Sequence, residues 1–372
     1  MPADIKWAAV NEVDKLDSPA LLVYPSRVKR NIDTAIRMVG DISRLRPHAK
    51  TNKSPDATRL MLEAGIKKFK CATIAEAEML GQCGAPDVLM SYQPLGPKIQ
   101  RFISVIKKYP ATGYSCLVDN AEAADAMAAA FSSAGITVNL FLDLNVGQNR
   151  TGIAPGKAAI DLYRQCSTSK GLRMLGLHAY DGHIRAQEMK ERKLQCDECF
   201  HLVSILSEEL VVEGFPQPLI VAGGSPTFPI HAERGGVECS PGTFVYWDKG
   251  YSDLCPEQDF LPAIVLLSRV ISLPGKTKIC IDLGHKSVSA ENDITRRVFF
   301  PSAPHLKPLG QSEEHLVLEA GEDHGFKTGD VLYGLPYHVC PTVALYERVF
   351  TVEDGNITGE WMNVARDRKL SI

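Results

Sequence analysis

Arg46-Pro47-His48-Ala49-Lys50-Thr51-Asn52-Lys53 follows Ile42 and Leu45 and reads as the end of a short strand over 43–50. Successive strand side chains point to opposite faces. Arg44, Arg46, His48 and Lys50 therefore share one face, with Leu45, Pro47 and Ala49 on the other. A run of cations is commonly a solvated surface. It is equally the pattern of an anion-holding site in which Lys50 serves as a nucleophile or Schiff-base amine. The flanking sequence decides between the two.

Upstream, Ser26 to Val39 carries Val28, Ile32, Ile36 and Val39 near helical spacing. Downstream, Ser54-Pro55 is an N-cap followed by proline at the first helical position, and Gly65 closes that helix. Strand-like segments then recur at Lys68–Thr73, Val88–Tyr92, Ser115–Asp119, Thr137–Asn145, Arg173–Tyr180, Leu219–Ala222 and Val237–Gly242. The crossovers are long enough for parallel pairing. Eight such repeats within about 220 residues predict an α/β fold, a (β/α)8 TIM-type barrel over 20–245. A doubly wound sheet is the alternative, since periodicity does not show closure. After Gly242 the pattern becomes proline- and glycine-punctuated strands at Ile264–Ser272, Thr277–Asp282, Leu316–Glu319, Val331–Leu335 and Val343–Val352. This predicts a mostly β domain over 246–372, joined by residues 1–19.

The formal net charge of −3 gives no reason to expect nucleic acid or an anionic membrane as partner. No apolar run approaches a membrane span, and the N-terminal segment lacks a signal peptide's apolar core. The ten cysteines are scattered rather than framework-spaced, which predicts a reducing, cytoplasmic setting. Cys196 and Cys199 form a lone CxxC inside a charged helical stretch, with no second pair to complete a metal site.

In a barrel of this kind chemistry sits at the C-terminal ends of the strands. The first ends on His48-Ala49-Lys50, and the fifth runs into the polar loop Asn145–Gly152, which carries Arg150. The sixth ends on His178-Ala179-Tyr180-Asp181-Gly182-His183, of which His178 reads as structural, the seventh on Gly223-Gly224-Ser225 and the eighth on Pro241-Gly242-Thr243. Loops after strands seven and eight commonly hold phosphate, and glycine-freed N–H groups with a hydroxyl are suited to it. A phosphate anchor and an amine in one cavity suit pyridoxal 5'-phosphate, and also a sugar-phosphate aldolase whose lysine binds the substrate carbonyl directly. In the second domain, His338-Val339-Cys340 places imidazole and thiol on one face of an extended segment, a pair that favours Zn²⁺. Glu313-Glu314-His315 reads as a charged turn.

Taken in order, these segments resemble the D-threonine aldolase / D-serine dehydratase family of fold-type III pyridoxal phosphate enzymes. The likeness runs from Asp17-Ser18-Pro19 through Arg46–Thr51, Tyr180–His183, Gly223–Thr227 and Pro241–Thr243 with Asp248, to His338–Cys340. The resemblance implies that Lys50 is the Schiff-base lysine, and Arg46 and His48 on the same face then read as its support. It implies that Gly223, Gly224, Ser225, Gly242 and Thr243 hold the phosphate, and that Arg150 and Tyr180 lie beside the ring. His338 and Cys340 would bind a divalent metal, zinc by their donor chemistry, with manganese or magnesium as alternatives. His183 matches a histidine placed near metal and substrate hydroxyl. A small-molecule amino-acid substrate and a homodimer are implied as well.

One position departs from the family's usual Lys-Thr-His-Lys: residue 52 is Asn. The implied reaction is retro-aldol cleavage of a β-hydroxy D-amino acid to glycine and an aldehyde. The alternative is D-serine dehydratase-type elimination, to which the His/Cys pair is the closer match. An amino-acid racemase and a non-catalytic pyridoxal phosphate carrier are further alternatives.

Overall fold

The structure, a computed structural model, describes residues 5–372. Strand β1 (Ala20–Val23) leads into α1 (Pro25–Val39), and α2 (Pro55–Glu63) precedes the regular alternation. That alternation runs β2 (Lys68–Cys71), α3 (Ile74–Gln82), β3 (Asp87–Met90), α4 (Pro97–Lys108), β4 (Gly113–Val118) and α5 (Ala121–Ser133). It continues β5 (Val138–Leu144), α6 (Lys157–Thr168), β6 (Leu172–Ala179), α7 (Met189–Val212), β7 (Leu219–Ala222), α8 (Phe228–Ala232) and β8 (Val237–Cys239). The helices start where their caps dictate. Thr73 Oγ1 accepts from Glu76 N at 3.1 Å and Asn120 Oδ1 from Ala123 N at 2.9 Å, while Pro97 opens α4.

Strands β2 to β8 form a parallel sheet in chain order, seven-stranded among the described residues. Residues 45–49 bridge both of its edges. Arg46 N and His48 N donate to Cys239 O and Pro241 O, each at 2.9 Å. On the other side Ala49 N donates to Lys70 O, and Lys70 N to Pro47 O, each at 2.8 Å. The sheet thus closes, but its first member is a pair of isolated bridges after a 3₁₀ turn at Ile42–Arg44, not the regular strand expected over 43–50. Pro47 is the reason: it has no N–H to give β2, and the chain turns at Ala49–Asn52 before another ladder rung can form. Inside, Leu89, Leu117, Phe141 and Val221 form an apolar cluster.

The cationic face splits. Arg44 donates to the carbonyls of Val237, His231, Ala232 and Arg234. Arg46, 1 % exposed, bonds Glu238 and Asp87 at 2.7 Å each, and Lys68 completes the network on Glu238. Only His48 and Lys50 of the four line the cavity described below.

The chain divides into two compact units, the barrel unit (Asp33–Lys50, Thr58–Gly242, Asp367–Ile372) and a second comprising residues up to Ile32, Thr51–Ala57 and Thr243–Arg366. The second contains α9 (Lys249–Leu254), β9 (Ile264–Ser272), β10 (Lys278–Ile281), β11 (Val298–Phe299), β12 (Lys307–Gln311) and β13 (Leu316–Glu319). It ends with β14 (Val331–Pro336), α10 (Val339–Leu345), β15 (Arg348–Glu353) and β16 (Asn356–Met362). Its sheet runs β12-β13-β10-β9-β1-β15-β16, with β14 also on β9 and pairing β11.

Although the sequence pattern grouped residue 20 onward with the barrel, β1 pairs antiparallel with β9 and parallel with β15. Ala8, Val10 and Leu16 pack with it against Val265, Leu267 and Val352. The strand expected over Val343–Val352 begins instead as the end of α10, with β15 starting at Arg348. Glu313–His315 is a turn, its two carboxylates paired with Lys286. Among the described residues no helix is long and apolar enough to cross a membrane.

Breaking a buried pair strands the remaining charge, which typically costs about 3–5 kcal/mol. Arg46→Met should lose stability on that scale in urea denaturation, and adding Glu238→Gln should restore part of it. An unchanged midpoint for the single variant would remove this network from the account.

Candidate active site

A cavity at the C-terminal ends of the parallel strands is lined by His48, Lys50, Lys70, Ser91, Asp143, Gln148, Arg150, His178 and Tyr180, with Leu117, Leu144 and Thr151. His48 steadies the turn that carries Lys50: its Nδ1 accepts from Lys50 N at 3.3 Å, while its Nε2 lies 3.3 Å from Ser91 Oγ. Ser91 Oγ donates to Cys71 O at 2.9 Å, so Nε2–H is the donor to Ser91 and the imidazole is the neutral Nε2–H tautomer.

Three cations converge on the Tyr180 ring: Arg150 Cζ at 5.1 Å from its centroid, Lys70 Nζ at 5.6 Å and Lys50 Nζ at 5.9 Å. Gly182 is required beneath that ring, because a Cβ there would lie 2.2 Å from Tyr180 Oη. Gln148 Oε1 is buried and has no hydrogen-bond partner among the described residues.

Along the cavity wall runs a buried chain whose connections the sequence pattern did not reveal. Lys70 Nζ donates to Ser240 Oγ at 2.5 Å and lies 3.5 Å from His178 Nε2; His178 Nδ1 lies 2.7 Å from Asp143 Oδ1. Burial and then the charge of Lys50 pull the Lys70 amine down to about 7, with Asp143 and Asp181 opposing. Burial works against ionisation of Asp143, but the bond and charge of His178 together with Thr151 and Lys70 outweigh this and hold the carboxyl below its ordinary range. The available signal was the alternation Lys68-Phe69-Lys70-Cys71, in which Lys70 reads as a solvent-facing alternate unless closure turns that face inward.

The glycine segments close β7 and β8. Gly223 has φ +82° and would place a Cβ 2.6 Å from His231 Cδ2, so no other residue fits there without displacement. Gly224 N donates to Thr227 Oγ1 at 3.2 Å, Thr227 Oγ1 to Asp181 Oδ1 at 2.8 Å, and His231 Nε2 lies 2.8 Å from Asp181 Oδ2. The Gly223-Gly224-Ser225 turn is thereby tied to the Tyr180–His183 turn. Gly242 follows β8 and Thr243 opens a 3₁₀ turn. His183 is exposed and outside the cavity lining, packed against Gly147 and 3.8 Å from Cys199 Sγ.

In the β unit, His338 is the extended N-cap of α10 and Cys340 sits in its first turn, which corrects the expectation of one extended segment. Pro341 is tolerated within that first turn. His338 Nδ1 lies 2.5 Å from Glu291 Oε1, and Cys340 Sγ is 3.1 Å from Thr51 Oγ1 and 3.7 Å from Thr243 Oγ1. Burial disfavours the His338 cation, but bonds to Cys340 and Glu291 outweigh it and push the imidazole up to about 9. Among the described residues the cluster with three ligand atoms at metal spacing is a different one, Asp181, Cys196 and His231. There Arg234 lies 2.7 Å from His231 Nδ1 and 3.4 Å from Cys196 Sγ, so a cation already occupies that corner.

A family model for the alanine racemase N-terminal domain matches residues 23–249. The chain belongs to this alanine racemase-like family, whose members are pyridoxal phosphate enzymes. A second model, a putative serine dehydratase domain, matches residues 263–352. The chain is 26% identical to a D-threonine aldolase of Arthrobacter sp., over 95% of this chain and 93% of the relative. It is 25% identical to a 3-hydroxy-D-aspartate aldolase of Paracoccus denitrificans, over the same shares. Among solved structures, D-threonine aldolase from Filomicrobium marinum superposes with a TM-score of 0.89 at 24% identity, covering 97% of this chain and 98% of that one. That likeness carries the alanine racemase-like fold, a parallel barrel sheet with a mostly β C-terminal domain.

Lys70 also sets a stability test. Its folded-state value lies below its unfolded one, so the unfolded chain binds more protons between about 7 and 10.5. The cost is therefore full below about 7 and fades as pH rises toward 10.5. Lys70→Met should raise the melting temperature of the cofactor-free protein at neutral pH, with the gain shrinking toward pH 10.5. A variant less stable than wild type at both ends would contradict the burial cost.

Proposed function

We propose that this protein is a pyridoxal phosphate-dependent, metal-activated lyase of β-hydroxy D-amino acids, cleaving the Cα–Cβ bond to release glycine and an aldehyde. The observation that carries the reading is the convergence of Lys50, Arg150 and Tyr180 in one strand-end cavity of an alanine racemase-like fold. The residues fit the cofactor. The cavity offers an amine, an aromatic face and the orphaned acceptor Gln148 Oε1, and the turn that follows β7 has no room for a side chain at Gly223 and little at Gly224. Lys50 would anchor the cofactor, Gly223, Gly224, Ser225, Gly242 and Thr243 would hold its phosphate, and Arg150 and Tyr180 would orient its ring.

When bound, the cofactor supplies an electron sink for the pair left at Cα. His183 would take the proton of the β-hydroxyl as the Cα–Cβ pair moves to Cα and the aldehyde departs. His48 keeps the Lys50 turn in register. His338 and Cys340 would hold the divalent cation, zinc by donor chemistry with manganese or magnesium as alternatives, and such a cation lowers the pKa of a bound hydroxyl. Glu291 fixes which His338 nitrogen is available. The working form is a homodimer in a reducing, cytoplasmic setting.

Elimination is the second reading, favoured by the thiol at 340 and by the dehydratase-domain match that spans it. A 24%-identical relative from Delftia sp. is a D-threo-3-hydroxyaspartate dehydratase. In that reaction Lys50 Nζ takes the Cα proton and the β-hydroxyl leaves. Asn52, whose Oδ1 accepts from Ser54 N while its buried Nδ2 has no partner among the described residues, stands where the resembling family has His and bears on this choice.

The products separate the two. D-threonine should give glycine and acetaldehyde, and 3-hydroxy-D-aspartate glycine and glyoxylate, with activity lost on chelation. Ammonia and a keto acid instead would establish elimination. Lys50→Ala should lower turnover by at least about 10²–10⁴-fold, and unaltered turnover would exclude Lys50 from the chemistry.

A further inference from the structure

Lys70 has no part in the reaction as derived above, yet it lines the same cavity as Lys50 while only 2% exposed. Its surroundings make it a costly residue to place there. Lys50 and Arg46 oppose its charge, Asp143 and Asp181 favour it, and the Tyr180 face lies beside it. A buried ammonium without a full counter-charge is unfavourable, and an apolar side chain of similar length would fill the space without that cost. Such groups concentrate at functional sites.

The amine is also aimed. Ser240 Oγ donates to Gly223 O at 3.1 Å, which leaves its lone pair for Lys70. His178 gives its Nδ1–H to Asp143, which leaves Nε2 as an acceptor for Lys70. These two acceptors take two of the three ammonium N–H directions. The third serves the cavity that Lys70 lines.

We propose that Lys70 contacts the ligand of the Lys50 cavity, its ammonium donating a hydrogen bond to an anionic oxygen of that ligand. This inference rests on reading Lys50 as the pyridoxal phosphate anchor. The oxygen belongs either to the cofactor or to the carboxylate of the amino acid. The unliganded amine titrates at about 7, so the charged donor is present below that pH and is lost as pH rises through it.

The test uses pyridoxine 5'-phosphate, whose alcohol cannot bond covalently to Lys50, titrated by fluorescence into the cofactor-free full chain at about pH 6 and about pH 8.5, on either side of the amine's transition. A cofactor oxygen predicts that Lys70→Met binds about ten- to hundredfold more weakly at the lower pH and much closer to wild type at the higher, while Lys70→Arg keeps its affinity at both. If pyridoxine 5'-phosphate binds alike but the visible spectrum of the Lys70→Met holoenzyme responds to D-serine only at about ten- to hundredfold higher concentration, the oxygen is the substrate's. If neither measurement moves, the inference is overturned while the Lys50 reading stands. A wild-type protein that binds no pyridoxine 5'-phosphate overturns both. Thermal melting of each variant confirms that a folded chain was compared.

Discussion

Closure of the parallel sheet by residues 45–49 is the constraint on which the barrel unit depends. Four backbone hydrogen bonds, two to the β8 side and two to β2, hold a stretch too irregular to count as a strand. They turn the alternating face of β2 to β8 into an interior. They also fix the height at which the chain leaves the sheet, and therefore where Lys50 emerges. Pro47 limits the ladder on one side, and the turn that follows converts a strand end into a site.

The interior so formed is polar at both ends and apolar between. Arg46, Glu238, Asp87 and Lys68 neutralise one another at the N-terminal end of the strands. Leu89, Leu117, Phe141 and Val221 separate them from the chemistry-bearing end. There His178, Asp143 and Lys70 form the floor. The paired charges around Arg46 contribute little net stability, but removing one partner strands the others. The glycine turn after β7 draws its shape from the same economy of bonds, through Thr227, Asp181 and His231.

The alternation of strand and helix was legible because each βα unit carries its own caps and its own period, as at Thr73, Asn120 and Pro97. Lys50, His48, Arg150 and Tyr180 were legible because position at a strand end is a local property. Lys70 was not, since only closure distinguishes an inward alternate from an outward one. His178, placed at the end of the sixth strand, reads as structural in the sequence because its partners Asp143 and Lys70 come from other strands. The partner of β1 is more than two hundred residues away in the chain, and no local pattern encodes it. Val343–Leu345 was misread for a simpler reason: a short apolar run with a β-branched residue fits either period.

On the proposed reading, Lys50 carries the cofactor in a cavity that holds a second buried amine. Borohydride reduction of the holoenzyme, followed by proteolysis and mass mapping, tests it most directly. The expected product is a single phosphopyridoxyl group, on the peptide containing Lys50. A label on Lys70 or on any other lysine, or no label on a protein shown to bind the cofactor, would contradict it.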